Sequence, residues 1–126
     1  MRFLLLLILL TLPVLAQDVL PGTYQVRYWG LGEGRAKPPG TDETRTITAQ
    51  GKNYRVVWTM PDGKKLPGVG IRQGDTLSVA YVDKGEPGLI VYRIKANAKT
   101  VRLTDGLWTI GLKSTQVGSE EASRQR

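Results

Sequence analysis

Eight residues, five Tyr and three Trp, combine a flat apolar ring with a single polar tip, and seven of them are candidates for one binding face: Tyr24, Tyr28, Tyr54, Trp58, Tyr81, Tyr92 and Trp108. Side chains of this kind bury a large apolar area while one hydroxyl or indole N–H seeks a partner, which suits holding a small amphipathic molecule. Bond-making chemistry has thinner support. The chain has no Cys and no His, so a thiolate nucleophile, a Ser-His-Asp relay and a zinc site of the usual Cys/His kind are all excluded. Carboxylates do occur at Asp42, Glu43, Asp75, Asp83 and Glu86. They fall at turns or strand ends, and no spacing brings two of them to one bond as two-carboxylate catalysis requires. The expectation is a non-catalytic protein with no metal and no cofactor.

One segment differs from the rest. Residues 30–40, Gly-Leu-Gly-Glu-Gly-Arg-Ala-Lys-Pro-Pro-Gly, are too rich in Gly and Pro for a strand and too long for a tight turn; long irregular loops in compact domains are often functional. Its Gly-x-Gly spacing lacks the remainder of a phosphate-binding pattern, and no helix follows to supply a dipole. Arg35 and Lys37 in this loop either meet an anionic partner surface or face water. Basic residues exceed acidic ones, 18 to 11, for a formal charge of +7. They are spread along the chain, so a solvated surface explains them as well as a polyanion does, and no specific nucleic-acid site is expected.

The elements that must position the rings read as strands. Tyr24, Val26 and Tyr28 alternate with Gln25 and Arg27, and Tyr54, Val56 and Trp58 with Arg55 and Val57. The same period of two runs through Leu77-Val79-Tyr81, Ile90-Tyr92-Ile94 and Trp108-Ile110-Leu112, placing each set on one face of a pleated strand. Turn signals separate the runs, among them Gly51-Lys52, Pro61-Asp62-Gly63, Gly74-Asp75, Lys84-Gly85 and Asp105-Gly106. Strands are expected near 22–29, 42–50, 53–60, 64–72, 76–83, 88–95, 99–104 and 107–117, with the polar tail from Gly118 to Arg126 frayed. About eight antiparallel strands in an up-and-down meander remove their unpaired edges by closing into a small barrel. The aromatic set would then point inward, either filling the interior or lining a cavity for one ligand. Gln25, Arg27, Arg55, Thr59, Ser78, Arg93 and Lys113 would make a water-facing exterior.

The start of the chain reads as an export signal. Arg2 precedes an apolar run from Phe3 to Leu10, and Val14 and Ala16 set a cleavage position before Gln17. The run is short for a membrane span. Residues 1–16 are thus expected to be a signal peptide and 17–126 a single secreted or periplasmic barrel domain, with no membrane span left in the mature chain. Absence of Cys favours a bacterial exported protein over a disulfide-stapled animal one.

Taken together, the leader, Gly22-x-Tyr24-x-Val26, Tyr54-x-Val56-x-Trp58, Gly68-x-Gly70, Leu77-x-Val79-x-Tyr81 and Ile90-x-Tyr92-x-Ile94 resemble a group of small exported bacterial proteins, some labelled fibronectin-binding. The resemblance covers most of the mature chain and implies a lipocalin- or avidin-like barrel and adhesion to an extracellular matrix protein. In that pattern a Gly-x-Trp, met here by Gly106-x-Trp108, is followed by a Gly-Thr-Glu-like run, from which Gly111-Leu112-Lys113 departs. It transfers no functional residue. The functional expectation is a binding protein, for a small amphipathic ligand inside the barrel or a macromolecule at its open end. Inhibition of a foreign hydrolase is the alternative, and lipocalin-like catalysis a more distant one.

Overall fold

The computed structural model describes residues 18–126; the leader expected at residues 1–16 lies outside them. Eight strands follow in chain order: β1 (Gly22–Trp29), β2 (Thr44–Gln50), β3 (Asn53–Thr59), β4 (Lys65–Gln73), β5 (Thr76–Asp83), β6 (Glu86–Ala96), β7 (Thr100–Ile110) and β8 (Gly118–Gln125). Each pairs antiparallel with the next, and β8 returns to pair with β1, so the sheet closes on itself as a barrel. No edge strand remains among the described residues, as expected of an all-β meander of this length. The turn chemistry fits the closure. Lys84 and Gly85 both take positive φ, 49° and 78°, the pair of left-handed conformations that a two-residue hairpin uses.

Two expectations are corrected. Asp105-Gly106 is not a reversal but a bulge inside β7, where the register against both β6 and β8 slips by one residue. Asp105 takes a φ of 51° there. A bulge and a tight turn both call for a residue tolerant of positive φ beside a glycine, so the local signal is the same for either. The bulge changes which parity faces inward: Val101 and Leu103 are buried before it, and Gly106 and Trp108 turn to the interior after it. The polar tail, in turn, is not frayed. Gly118–Gln125 is β8, paired with β1 over Gln25–Trp29 and with β7 over Thr100–Trp108. Its inward residues are Gly118, Glu120 and Ala122, a set without aliphatic bulk that hydrophobic alternation does not reveal. The connection between β7 and β8 takes up residues 111–117, where a strand was expected.

Alternate strands run in opposite directions, so the connections fall at two ends. One end carries the turns at 51–52, 74–75 and 97–99 together with the start and finish of the described chain. It is closed. The segment before β1 crosses it, burying Leu20 completely; Asp18 accepts the Tyr54 hydroxyl at 2.7 Å, and the Leu20 carbonyl accepts the Tyr24 hydroxyl at 2.8 Å. Arg124 from β8 donates to the Val19 carbonyl and lies over the Tyr24 ring. Behind this plug, Val56, Leu77, Val79, Val101 and Leu103 fill the interior. The opposite end carries the connections 30–43, 60–64, 84–85 and 111–117.

The exterior is less uniform than the sequence suggests. Arg27, Arg55 and Arg93 do face outward on their strands, but the outer wall of β4 to β7 exposes Val69, Ile71, Val82, Leu89, Val91 and Leu107. Register places Val69 beside Ala80 and Ala80 beside Leu89, and runs a second row from Ile71 through Ser78 and Val91 to Leu107.

Candidate functional site

At the second end the barrel is hollow. A cavity of about 320 Å³ lies among Trp58 and Met60 of β3 and its turn, Leu66, Tyr81, Ile90, Trp108 and Ile110, with Tyr28 and Asp83 at the mouth. Its size falls in the range of small-ligand sites. The reason it is empty lies in how the rings are seated. A large side chain projecting toward the axis of an eight-stranded barrel would fill it, but these rings lie down along the wall, each over a glycine of a neighbouring strand or loop. Tyr28 covers Gly40, Trp58 covers Gly68, Tyr81 covers Gly88, Tyr92 covers Gly106 and Trp108 covers Gly118; a Cβ at any of the five would sit inside the ring's van der Waals envelope. Trp58 and Tyr81 then pack on one another with centroids 4.7 Å apart at 44°, a tilted contact of the favourable kind. The Trp108 indole N–H is fixed by the Trp29 carbonyl at 3.2 Å.

On the side formed by β2 and β8 the cavity wall is ionic. Arg45, inward on β2, is 3 % exposed; Glu43 just ahead of β2 and Glu120 on β8 are 5 % and 2 % exposed. Arg45 donates from Nη1 to Glu43 Oε1 at 3.1 Å and to the Thr44 carbonyl at 3.1 Å, from Nε to Glu120 Oε2 at 3.3 Å, and from Nη2 to Glu120 Oε1. The guanidinium also lies 5.2 Å from the Trp58 centroid. Tyr92, fully buried, donates its hydroxyl to Glu120 Oε2. Buried charges are tolerated only when paired and hydrogen-bonded, and here each is. Glu43 is the least satisfied member: among the described residues only Arg45 donates to it in hydrogen-bond geometry, and to one of its two oxygens.

The titrations follow from this setting. Burial holds the Glu43 carboxyl above the ordinary range, with the charge of Glu120 adding to the rise and Arg45 and Tyr28 opposing it. Burial alone would lower the pKa of Arg45, but Glu120, Tyr92 and Glu43 outweigh it and leave it raised. Tyr92 is held well above the usual phenol value, first by burial and then by Glu120, so it remains a protonated donor. Tyr81 is pushed up to about 12 by burial and by Glu120, and Tyr28 to about 12 by burial and by its 2.8 Å hydrogen bond to Asp42.

The seven aromatic residues therefore divide. Tyr28, Trp58, Tyr81 and Trp108 line the cavity; Tyr92 lies behind its ionic wall; Tyr24 and Tyr54 belong to the plug at the closed end. Arg35 and Lys37 are elsewhere again. Their loop folds back on the outer wall, tied to β1 by paired backbone hydrogen bonds between Tyr28 and Gly40. There the Arg35 guanidinium lies 4.8 Å from the Trp29 centroid and 3.6 Å from Glu121, and the Lys37 carbonyl accepts the Trp29 indole N–H at 2.9 Å. The loop thus clasps an outward tryptophan, and of its first residues Gly30 reaches the cavity mouth. Arg45 and Glu120 leave no local pattern in the sequence, because the partners lie 75 residues apart. The usable signal is the glycines at inward positions, of which Gly68, Gly88, Gly106 and Gly118 each lie under a ring.

Compared with protein-family models, curated proteins and solved structures, the chain matches none.

Proposed function

We propose that this protein is a non-catalytic, exported carrier that holds one small amphipathic molecule in the open end of its barrel. The observation that supports it most is the cavity itself: about 320 Å³ kept clear by rings laid on glycines, with an ionic cluster at one side. Apolar walls with a few fixed polar groups bury a ligand's body and orient its polar end. Arg45, Glu120 and Tyr92 satisfy one another, an arrangement suited to a rigid wall rather than to passing protons. Export rests on the leader at residues 1–16, which would release the carrier outside the cytoplasm.

The test is a titration with the neutral fluorescent probe N-phenyl-1-naphthylamine. Emission should rise to saturation at one probe per chain. Trp58→Ala should weaken binding by about tenfold or more through lost ring contact, and Ile71→Ser on the apolar outer wall should leave it unchanged. Failure to saturate, or loss of binding in Ile71→Ser with none in Trp58→Ala, would place the probe on the exterior and remove the proposal.

A further inference from the structure

We infer that the ligand's polar end is a cation, a protonated amine or quaternary ammonium; this rests on the cavity being the ligand site. The ionic wall holds two carboxylates, Glu43 and Glu120, against the single guanidinium of Arg45. At the mouth Asp83 is matched by Lys64 at 2.8 Å. The enclosed surface is therefore one negative charge in excess, inside a chain whose formal charge is +7. A general electrostatic field cannot produce that contrast, since the surface charge has the opposite sign.

An anionic head finds no place here. Arg45 already donates to both oxygens of Glu120, to Glu43 and to the Thr44 carbonyl, and Trp58 lies beside its guanidinium. A ligand carboxylate would have to approach it past two other carboxylates at short range, where like charges repel strongly in a poorly screened site. A cationic head meets the reverse. Glu43, more than nine-tenths buried, lines the cavity, and Arg45 donates to only one of its two oxygens, the neighbouring Tyr28 hydroxyl being given to Asp42 at 2.8 Å. The rings of Trp108 and Tyr81, which line the same cavity, supply further attraction for a desolvated cation. Binding would also relieve the burial of an excess charge, so part of the affinity comes from a cost already present in the unliganded fold.

Acidity should switch the preference. The charged and titratable groups around Glu43 are Asp42 beside it in the chain, Arg45 on β2, Glu120 from β8, Tyr28 from β1 and Tyr81 from β5. The phenols stay neutral and the guanidinium charged in acid, so protonation of Glu43, whose carboxyl burial holds above the ordinary range, cancels the excess negative charge as pH falls.

Three matched ligands decide the question by isothermal titration calorimetry: 1-naphthylmethylamine, 1-naphthylmethanol and 1-naphthoate, which share an aromatic body and differ in head charge. The amine should bind about tenfold or more tighter than the alcohol, and naphthoate weakest, as expected for a desolvated ion pair with a cation–π contribution. In Glu43→Gln the amine should lose its advantage. If that variant does not fold, the native protein gives the same reading, because the advantage should shrink as pH falls through the titration of Glu43. Alcohol bound as tightly as the amine, or naphthoate bound tightest, overturns the cationic head and leaves the cavity as a ligand site; no binding by any of the three overturns both.

Discussion

The two ends of this barrel are built from one sequence pattern and come out differently. Tyr24 and Tyr54 at one end and Trp58 and Trp108 at the other occupy equivalent inward positions on their strands. At the closed end a segment of chain supplies what the rings need: Leu20 fills the lumen, and backbone and Asp18 oxygens accept the phenol hydroxyls. At the open end no segment enters among the described residues. The rings there lie on glycines, and a buried ion cluster replaces the aliphatic filling. Alternation therefore determines that a ring faces inward, while the element opposite it determines whether it becomes core or binding wall.

Removing the central charge should break the contrast most severely. Arg45→Met leaves Glu43 and Glu120 buried without a counter-ion, and should lower stability by about 3–5 kcal/mol in urea unfolding. At the closed end Leu20→Ala should cost about 2–5 kcal/mol by opening a void in the plug, and its probe affinity should match the parent's when measured well below the unfolding midpoint. Equal loss of affinity from that variant would show that the two ends are coupled rather than separate. Gly118→Val sharpens the account of why the cavity is open. Its new side chain must lift Trp108 off the wall, costing about 1–3 kcal/mol from overpacking and reducing probe binding as the indole swings into the lumen.

The smallest effect concerns pH. Because burial raises the Glu43 pKa in the fold, its favourable contribution is fully present below the unfolded-state value and is lost as pH rises through the folded one. Glu43→Gln should therefore be more stable than the parent at neutral pH, and the two melting curves should converge on acidification. A constant gap across that range would show that the substitution acts through packing instead of charge.

These contrasts also explain what could be read in advance. Strands β1, β3, β5 and β6 are legible because most of their inward residues are aliphatic or aromatic, and Gly at positive φ marks turns at 51, 63, 74 and 85. β8 is not: Glu120 points inward because Arg45 neutralises it, and Gly118 points inward because Trp108 covers it. Both reasons lie in other strands. Asp105-Gly106 misled because a bulge and a hairpin draw on the same residues. The rings of the cavity were visible as a set, but their division between plug and site depends on where Leu20 goes. The ionic wall depends on a pairing across 75 residues.

The chain's three tryptophans allow the central claim to be tested directly, since Trp58 and Trp108 line the cavity while Trp29 is held in the clasp on the outer wall. Indole N–H resonances followed by two-dimensional NMR during addition of N-phenyl-1-naphthylamine should shift for Trp58 and Trp108, with Trp29 moving least. A shift confined to Trp29, or none at all at saturating probe, would contradict a binding site inside the open end.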